Sequence, residues 1–289
     1  MLFRGLTNNV TGDVKLTVLK HEKDIKNLKS LNLADGTKKK INMFHKTLTL
    51  CDNKGKNQDI PLGMVEDSVD DMYFGCQEKM MEKVKTYYFN KEIRNSKFEY
   101  AWNEIAKCAE KKPREADKAL TKDHMHAICV YTDNNIYDIF NTAVRTEASK
   151  YSFSFQFHSL HFLLTSAIQI LNSNYKCHTT YRRTRSLFSG NVGQIIRFGS
   201  FASSSYLNNL TDFGSETCFK IKTCSGAYLG DYSAIDGEEE VLIPPYETFK
   251  VTEKVLGKGH FGELNDCKVV YVLESAGLRS RLNCKATLP

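Results

Sequence analysis

The sequence predicts an α+β fold, because helical periodicity fills the middle of the chain and strand-like runs fill its last part. From Ser68 to about Leu171, apolar residues recur three and four positions apart, which is the spacing of one helix face. After about Asn172, β-branched and aromatic runs alternate with turn residues, which is typical of strands joined by short loops. Helices followed by strands favour an α+β architecture over alternating βαβ units.

Three segments give the helical prediction. Phe98 to Cys108 has helical spacing and holds the only tryptophan, Trp102. Apolar positions from Ile136 to Val144 follow Asp133-Asn134-Asn135, which are residues that favour a helix start. Leu160 to Leu171 forms a longer amphipathic stripe, and such stripes are usually core.

The strand prediction rests on five runs after residue 172. They are His178–Tyr181, Gln194–Phe201, Cys218–Thr223, Glu239–Val251 and Val269–Leu273. Before residue 61 the pattern is weak, with one short candidate strand at Val14–Val18. We expect a domain boundary near Pro61-Leu62-Gly63.

The positive charge is confined to the N-terminal segment. Residues 1–60 hold 12 Lys and Arg against 6 Asp and Glu, and the other residues hold 28 of each. Nucleic-acid or membrane-surface binding is one interpretation, and a solvated basic extension is the favoured one, because no aromatic residues are interleaved with the lysines. No G-x-G-x-x-G after a strand, P-loop or run of 18 apolar residues occurs, so a Rossmann site, a P-loop and a membrane-spanning helix are not predicted.

Nine cysteines are many for a cytosolic protein, and the odd number leaves at least one outside an internal disulfide. No C-x-x-C pair occurs, so a zinc site is not predicted. Two glycosylation sequons, Asn9-Val10-Thr11 and Asn209-Leu210-Thr211, are compatible with secretion. The first residues lack the apolar core of a signal peptide, and the last lack the hydrophobic tail of a lipid-anchor signal.

Three adjacent carboxylates, Glu238, Glu239 and Glu240, run into an apolar strand-forming segment. Side chains alternate along a strand, so Glu238 and Glu240 should share one face, about 7 Å apart, with Glu239 on the other. A solvated acidic turn is the alternative. Two other unusual features end earlier strands: Arg182, which could be a surface ion pair, and Ser203, which could belong to a polar turn.

The order Arg182, Ser203, Glu238-x-Glu240 resembles the R-S-E signature of the vertebrate ecto-ADP-ribosyltransferases, which modify arginine. The resemblance covers about 63–275, and residues 1–60 do not share it. The other matching segments are Asp71-Met72-Tyr73-Phe74-Gly75-Cys76, Ala101-Trp102, Phe157–Phe162, Cys177–Arg182, Arg197–Phe201, Lys222-Thr223-Cys224 and Glu239–Phe249.

This resemblance implies a helical part packed on a β-sandwich that forms an NAD cleft. It implies a basic extension at 1–62 and a transferase domain at 63–289, divided into a helical part at 63–175, a β part at 176–275 and a tail at 276–289. NAD is the implied substrate, with NADP as an alternative nucleotide, and no metal is expected. The implied acceptors are arginines of proteins, with no nucleic-acid partner and a monomeric chain.

The resemblance also assigns roles to six residues. Glu240 faces the oxocarbenium-like ribose, and Glu238 holds the acceptor guanidinium. Arg182 binds NAD phosphate, and Ser203 orients the ribose and Glu240. Cofactor contacts are also expected from Phe213, which stacks on nicotinamide, and from Arg183, which stands where the family commonly has glycine.

Two disulfides are implied in the same way: Cys177–Cys224 and Cys76–Cys267. The cysteines left unassigned are Cys51, Cys108, Cys129, Cys218 and Cys284. The family resemblance implies an extracellular or secretory location.

The main prediction is a mono-ADP-ribosyltransferase that modifies arginine. An NAD glycohydrolase and a catalytically silent interaction protein on the same scaffold are the alternatives. The complete residue set argues against the silent protein, because packing alone does not require those residue types.

Overall fold

The computed structural model describes residues 59–105, 108, 110–133 and 135–288. The candidate strand at Val14–Val18 and most of the predicted extension at 1–62 lie outside these residues.

Within the described ranges, the α-helices all lie between residues 77 and 171. They are α1 (Gln77–Lys83), α2 (Phe89–Glu92), α3 (Ser96–Glu104), α4 (Lys122–Thr132), α5 (Tyr137–Thr146) and α6 (His158–Leu171), with a π-helical turn at Val84–Tyr88. No helix in this part of the chain is long and apolar enough to cross a membrane.

The helix starts follow local chemistry in two cases and tertiary packing in a third. The Asn95 side chain accepts hydrogen bonds from the first turn of α3, and Thr121 caps α4. The expected cap of α5 is wrong, because Asp133 ends α4 and the buried Ile136 precedes α5 with no side-chain cap. Burial of the apolar face of α5 therefore takes the place of a cap.

The strands range in length from two residues to ten. They are β1 (Ile60–Pro61), β2 (His178–Thr184), β3 (Phe188–Ser189), β4 (Ile195–Ile196), β5 (Ala202–Ser205), β6 (Thr217–Thr223), β7 (Ala227–Tyr228), β8 (Glu240–Ile243), β9 (Glu247–Leu256) and β10 (Val269–Leu278). Eight of them follow the order β4-β9-β10-β6-β2-β5-β8-β7, and β1 pairs with β3.

Of the five predicted strands, one is shortened and one is divided. The run from Gln194 to Phe201 leaves the sheet after Ile196, where Gly199 takes a positive φ of 70°. The run from Glu239 to Val251 is split into β8 and β9 by Pro244-Pro245, because proline lacks the N–H that a central strand needs.

The eight-stranded sheet consists of two halves joined by a narrow link. Strand β2 pairs with β6 along its whole length but with β5 only at Tyr181 and Ser205. One hydrophobic core contains residues of both halves, including Ala202 and Ile243 from one and Phe219 from the other. The two halves therefore face each other as a sandwich, as expected.

A second and larger core joins the helices to the sandwich. Phe201, which precedes β5, and Leu242 of β8 pack there with Phe140 of α5 and Leu164 of α6. Helix α6 is buried along most of its length, so it lies at the centre of the helical part. The expected α+β architecture is confirmed.

Asp70, near the start of the domain, forms a buried ion pair with Arg197 and also binds the main chain near the end of the domain. Nη1 of Arg197 lies 2.6 Å from Oδ2 of Asp70, and both side chains are fully buried. The other oxygen of Asp70 accepts from the main-chain N–H groups of Arg281 and Leu282. A buried charge pair is stable only when its remaining hydrogen bonds are made, and these contacts make them.

Four disulfides are present among the described residues: Cys76–Cys284, Cys108–Cys129, Cys177–Cys224 and Cys218–Cys267. The implied Cys177–Cys224 bond is present. The implied Cys76–Cys267 bond is wrong. Cys267 precedes the ten residues of β10 and bonds Cys218 of the neighbouring β6, whereas Cys284 follows β10 and reaches Cys76. A ten-residue strand spans about 33 Å, so the cysteines at its two ends cannot serve the same partner.

Candidate active site

A solvent-open cleft lies where the two halves of the sheet meet. All six predicted site residues line it. The full lining is Tyr137, Tyr181, Arg182, Arg183, Thr184, Ser203, Ser204, Ser205, Leu207, Leu210, Phe213, Glu238 and Glu240.

Arg182 enters the cleft from β2 and contacts β5. The threonines of His178-Thr179-Thr180 favour an extended chain, and β2 pairs with β6 in unbroken register through Thr184. Nη1 of Arg182 donates to the main-chain oxygen of Ser203 at 2.5 Å. The guanidinium is therefore oriented by the strand that also carries the serine.

The three serines of β5 differ in their partners. Oγ of Ser204 donates to the main chain of Val241, and Oγ of Ser205 donates to the main chain of Glu238. These two hydroxyls hold β5 against the acidic segment. Ser203 pairs in register with Leu242. Its hydroxyl makes no hydrogen bond of this kind to the main chain of the described residues.

The two outer glutamates of the acidic segment line the cleft together, as predicted, but through a turn and not through an extended strand. Glu239 has a positive φ of 46°, and β8 begins only at Glu240. The carboxylate of Glu239 points outward and accepts from the Tyr228 hydroxyl at 2.8 Å. The side chains of Glu238 and Glu240 are 8% and 3% exposed, so the solvated acidic turn applies to Glu239 alone.

Glu240 is held in a shielded position. Oγ of Ser233 lies 3.3 Å from its Oε2, and its main-chain oxygen accepts from the N–H of Leu229. Because water is largely excluded, a carboxylate here interacts with a nearby cation more strongly than it would in solution.

Phe213 reaches the cleft from a short helical turn at Thr211–Phe213. The next residue, Gly214, has a φ of 112°, and a Cβ there would lie 2.7 Å from main-chain atoms of Thr184 and Arg185. Only glycine allows this close approach to the end of β2. This close approach brings the Asp212-Phe213-Gly214 segment against the end of β2, the strand that carries Arg182.

Arg183 lines the cleft, yet its guanidinium is engaged elsewhere. It forms two hydrogen bonds with the carboxylate of Asp266, at 2.7 and 2.9 Å, and its Nε donates to the oxygen of Asn208. These hydrogen bonds lower the pKa of Asp266. Any contact between Arg183 and a ligand thus falls to its main chain, in line with a position that commonly holds glycine.

No group of three or more His, Cys, Asp or Glu side chains in the described part of the chain is arranged to hold a metal ion.

The family model described as "NAD:arginine ADP-ribosyltransferase" matches residues 62–262. The chain belongs to this family.

Two ADP-ribosyltransferases represent its relatives. The chain is 31% identical to the erythroblast NAD(P)(+)--arginine ADP-ribosyltransferase of Gallus gallus, over 80% of this chain and 78% of the relative. It is 36% identical to ecto-ADP-ribosyltransferase 4 of Mus musculus, over 78% of this chain and 76% of the relative.

The fold is similar to the crystal structure of the eukaryotic mono-ADP-ribosyltransferase ART2.2. The TM-score is 0.66 at 33% identity, with 78% of this chain and 98% of that chain covered. A variant of ART2.2 solved in complex with NAD has a TM-score of 0.62 at 31% identity and the same coverage.

Seven of the thirteen residues that line this ADP-ribosyltransferase site were not predicted as site residues. Tyr137, the first residue of α5, lines the cleft. Arg145, at the end of the same helix, donates to Oγ of Ser200. Burial lowers the pKa of Arg145, and the positive charge of Arg182 lowers it further. In the sequence, Arg145 is marked only by its place beside an amphipathic stripe, which predicts core packing and no site.

Proposed function

We propose that the chain transfers ADP-ribose from NAD to arginine side chains of proteins, with release of nicotinamide. The observation that carries this proposal is the meeting in one cleft of residues from three separate segments: Arg182, Ser203, and the pair Glu238 and Glu240. Family membership supports the same activity.

In this proposal the bond between nicotinamide and the ribose C1′ breaks first. Positive charge then develops on the ribose, as in glycoside cleavage. Glu240, shielded and held by Ser233, stabilises that charge electrostatically. The electron pair of the broken bond leaves with nicotinamide, which becomes neutral.

The remaining cleft residues bind NAD. Arg182 offers a fork of donors to a phosphate group. Phe213 stacks on nicotinamide, Ser203 orients the ribose, and the main chain at Arg183 contacts the nicotinamide end.

Glu238 acts on the acceptor. An arginine guanidinium is fully protonated in solution and is then a poor nucleophile. The carboxylate of Glu238 aligns the guanidinium and takes up its proton as the nitrogen attacks C1′. The products are ADP-ribosylated arginine, nicotinamide and one proton.

The extracellular or secretory location remains part of the proposal. It is supported by the similarity to the mouse ecto-ADP-ribosyltransferase 4 and by the four disulfides, because such bonds persist in oxidising compartments.

Incubation of the purified chain with NAD labelled in its adenosine part and with agmatine tests the activity. We expect label on agmatine together with equimolar nicotinamide. Free ADP-ribose as the only labelled product would instead identify an NAD glycohydrolase. Absence of any NAD turnover by folded protein would contradict both activities.

A further inference from the structure

The sequon Asn209-Leu210-Thr211 lies on an exposed loop between β5 and the turn of Phe213. Both Asn209 and Thr211 are exposed, and no hydrogen bond to the Asn209 side chain is present within the described residues. A large, hydrated sugar can be carried only where the asparagine amide reaches solvent, and this position satisfies that requirement.

The loop is part of the mouth of the cleft. Leu207 and Leu210, which flank Asn209, both line the cavity. The main-chain N–H of Tyr206, at the start of the loop, donates to the oxygen of Glu239 at 3.1 Å. Asn209 is three residues beyond Tyr206, a separation of at most about 11 Å along the chain. The sequon therefore lies within about 11 Å of Tyr206, the residue that is hydrogen-bonded to the acidic segment of Glu238.

The loop is also held in place. Arg183 donates to the oxygen of Asn208, and Asp266 fixes that guanidinium in turn. Cys267, next to Asp266, is bonded to Cys218 of β6. The attachment point of a group on Asn209 is therefore held at the mouth of the cleft by these contacts.

We propose that Asn209 carries an N-linked glycan that stands on the acceptor side of the cleft and limits which arginines can enter. In its formation, Nδ2 of Asn209 attacks the anomeric carbon of an oligosaccharide linked to a lipid pyrophosphate. The C–N bond forms, the bond from that carbon to phosphate breaks, the lipid pyrophosphate leaves with the electron pair, and the amide nitrogen loses one proton. The four disulfides support passage through the compartment where this donor is used.

The expected consequence, which rests on the proposed transferase function, is discrimination by size. NAD and a small guanidine pass beside the glycan. An arginine on the rigid surface of a folded protein must bring that surface to the mouth, where the glycan obstructs it. An arginine on a flexible segment is affected less, because the segment can reach past the sugar.

The test uses the full chain, with Asn9→Gln to remove the other sequon, expressed behind a cleavable leader in the secretory pathway of animal cells. Enzymatic removal of N-glycans in heavy-oxygen water, followed by peptide mapping, should recover residue 209 as labelled aspartate. Thr211→Ala should abolish the modification, and Thr211→Ser, which preserves the sequon, should retain it. An unmodified Asn209 in the secreted protein would overturn the proposal.

The second measurement compares Asn209→Gln with the Thr211→Ser control on three acceptors: agmatine, a folded protein with surface arginines, and the same protein unfolded. We expect a several-fold faster transfer to the folded acceptor in Asn209→Gln, a smaller gain on the unfolded one, and no change on agmatine. Equal rates on the folded acceptor would refute the obstruction. Loss of agmatine modification in every form would instead count against the transferase function, while the peptide map would still decide the glycan.

Discussion

The Glu238→Gln substitution separates the two halves of the proposed reaction. It keeps the size of the side chain and removes only the charge of a carboxylate that is 8% exposed. A hydrogen bond to a charged partner contributes about 1.5–3 kcal/mol, so arginine modification should fall by about 10- to 160-fold. NAD cleavage should be largely retained, because Glu240, Arg182 and Ser203 are unchanged.

The matched control is Glu239→Gln, the same change at the adjacent residue, whose carboxylate points out of the cleft to Tyr228. Both variants and the unchanged chain would be assayed at one NAD concentration with agmatine present, and transfer and free ADP-ribose would be counted separately. We expect Glu239→Gln to keep the normal ratio of the two products. Equal losses of both products in Glu238→Gln would assign that residue to NAD binding or cleavage and refute the division of roles.

Three further predictions concern the charge facing the ribose, the start of the domain and a buried acid. Glu240→Gln should lower both transfer and hydrolysis by at least about 10²–10³-fold, and near-normal hydrolysis by the folded variant would move the cation partner elsewhere. A chain beginning at Asp59 should keep NAD turnover, whereas one beginning at Gly63 should lose about 1.5–3 kcal/mol of unfolding free energy, because Leu62 is buried; equal denaturation midpoints would contradict this. Burial raises the pKa of the Asp71 carboxyl from 3.8 to about 6, so the folded state binds the carboxyl proton more tightly than the unfolded state does. Up to about 3 kcal/mol of unfolding free energy is therefore lost as the pH rises from about 4 to 6. Asp71→Asn should remove that loss. If the unfolding free energy in urea depends on pH in the same way for the variant and the unchanged chain, the prediction is refuted.

The fold class and the longer elements were predictable because their signals are local. The apolar spacing of α5 and α6 and the β-branched runs of β2 and β6 act within a few residues. The narrow link at Tyr181 and Ser205 was not predictable, because nothing in a strand's own sequence states which strand lies beside it.

The site residues were identified through an ordered set of motifs, and their side-chain chemistry fits the cleft that contains them. The turn at Glu239 was missed because alternation was assumed for a segment that becomes a strand only at Glu240. The contact of Arg145 with Ser200 was not predictable, because it depends on how α5 packs against the loop before β5. The Cys76 partner was wrong for the same kind of reason, since the choice between Cys267 and Cys284 depends on the direction of β10.

The Cys76–Cys284 bond also determines how the domain carries a mechanical load. It closes a covalent ring of the residues between two cysteines that are 208 positions apart. Tension applied to the two ends first loads the contacts of the segments outside this ring, such as β1 with β3 and Asp70 with Arg197. Once those contacts are broken, the load passes through the two sulfurs, and the chain between the two cysteines is not pulled out as long as the bond is intact.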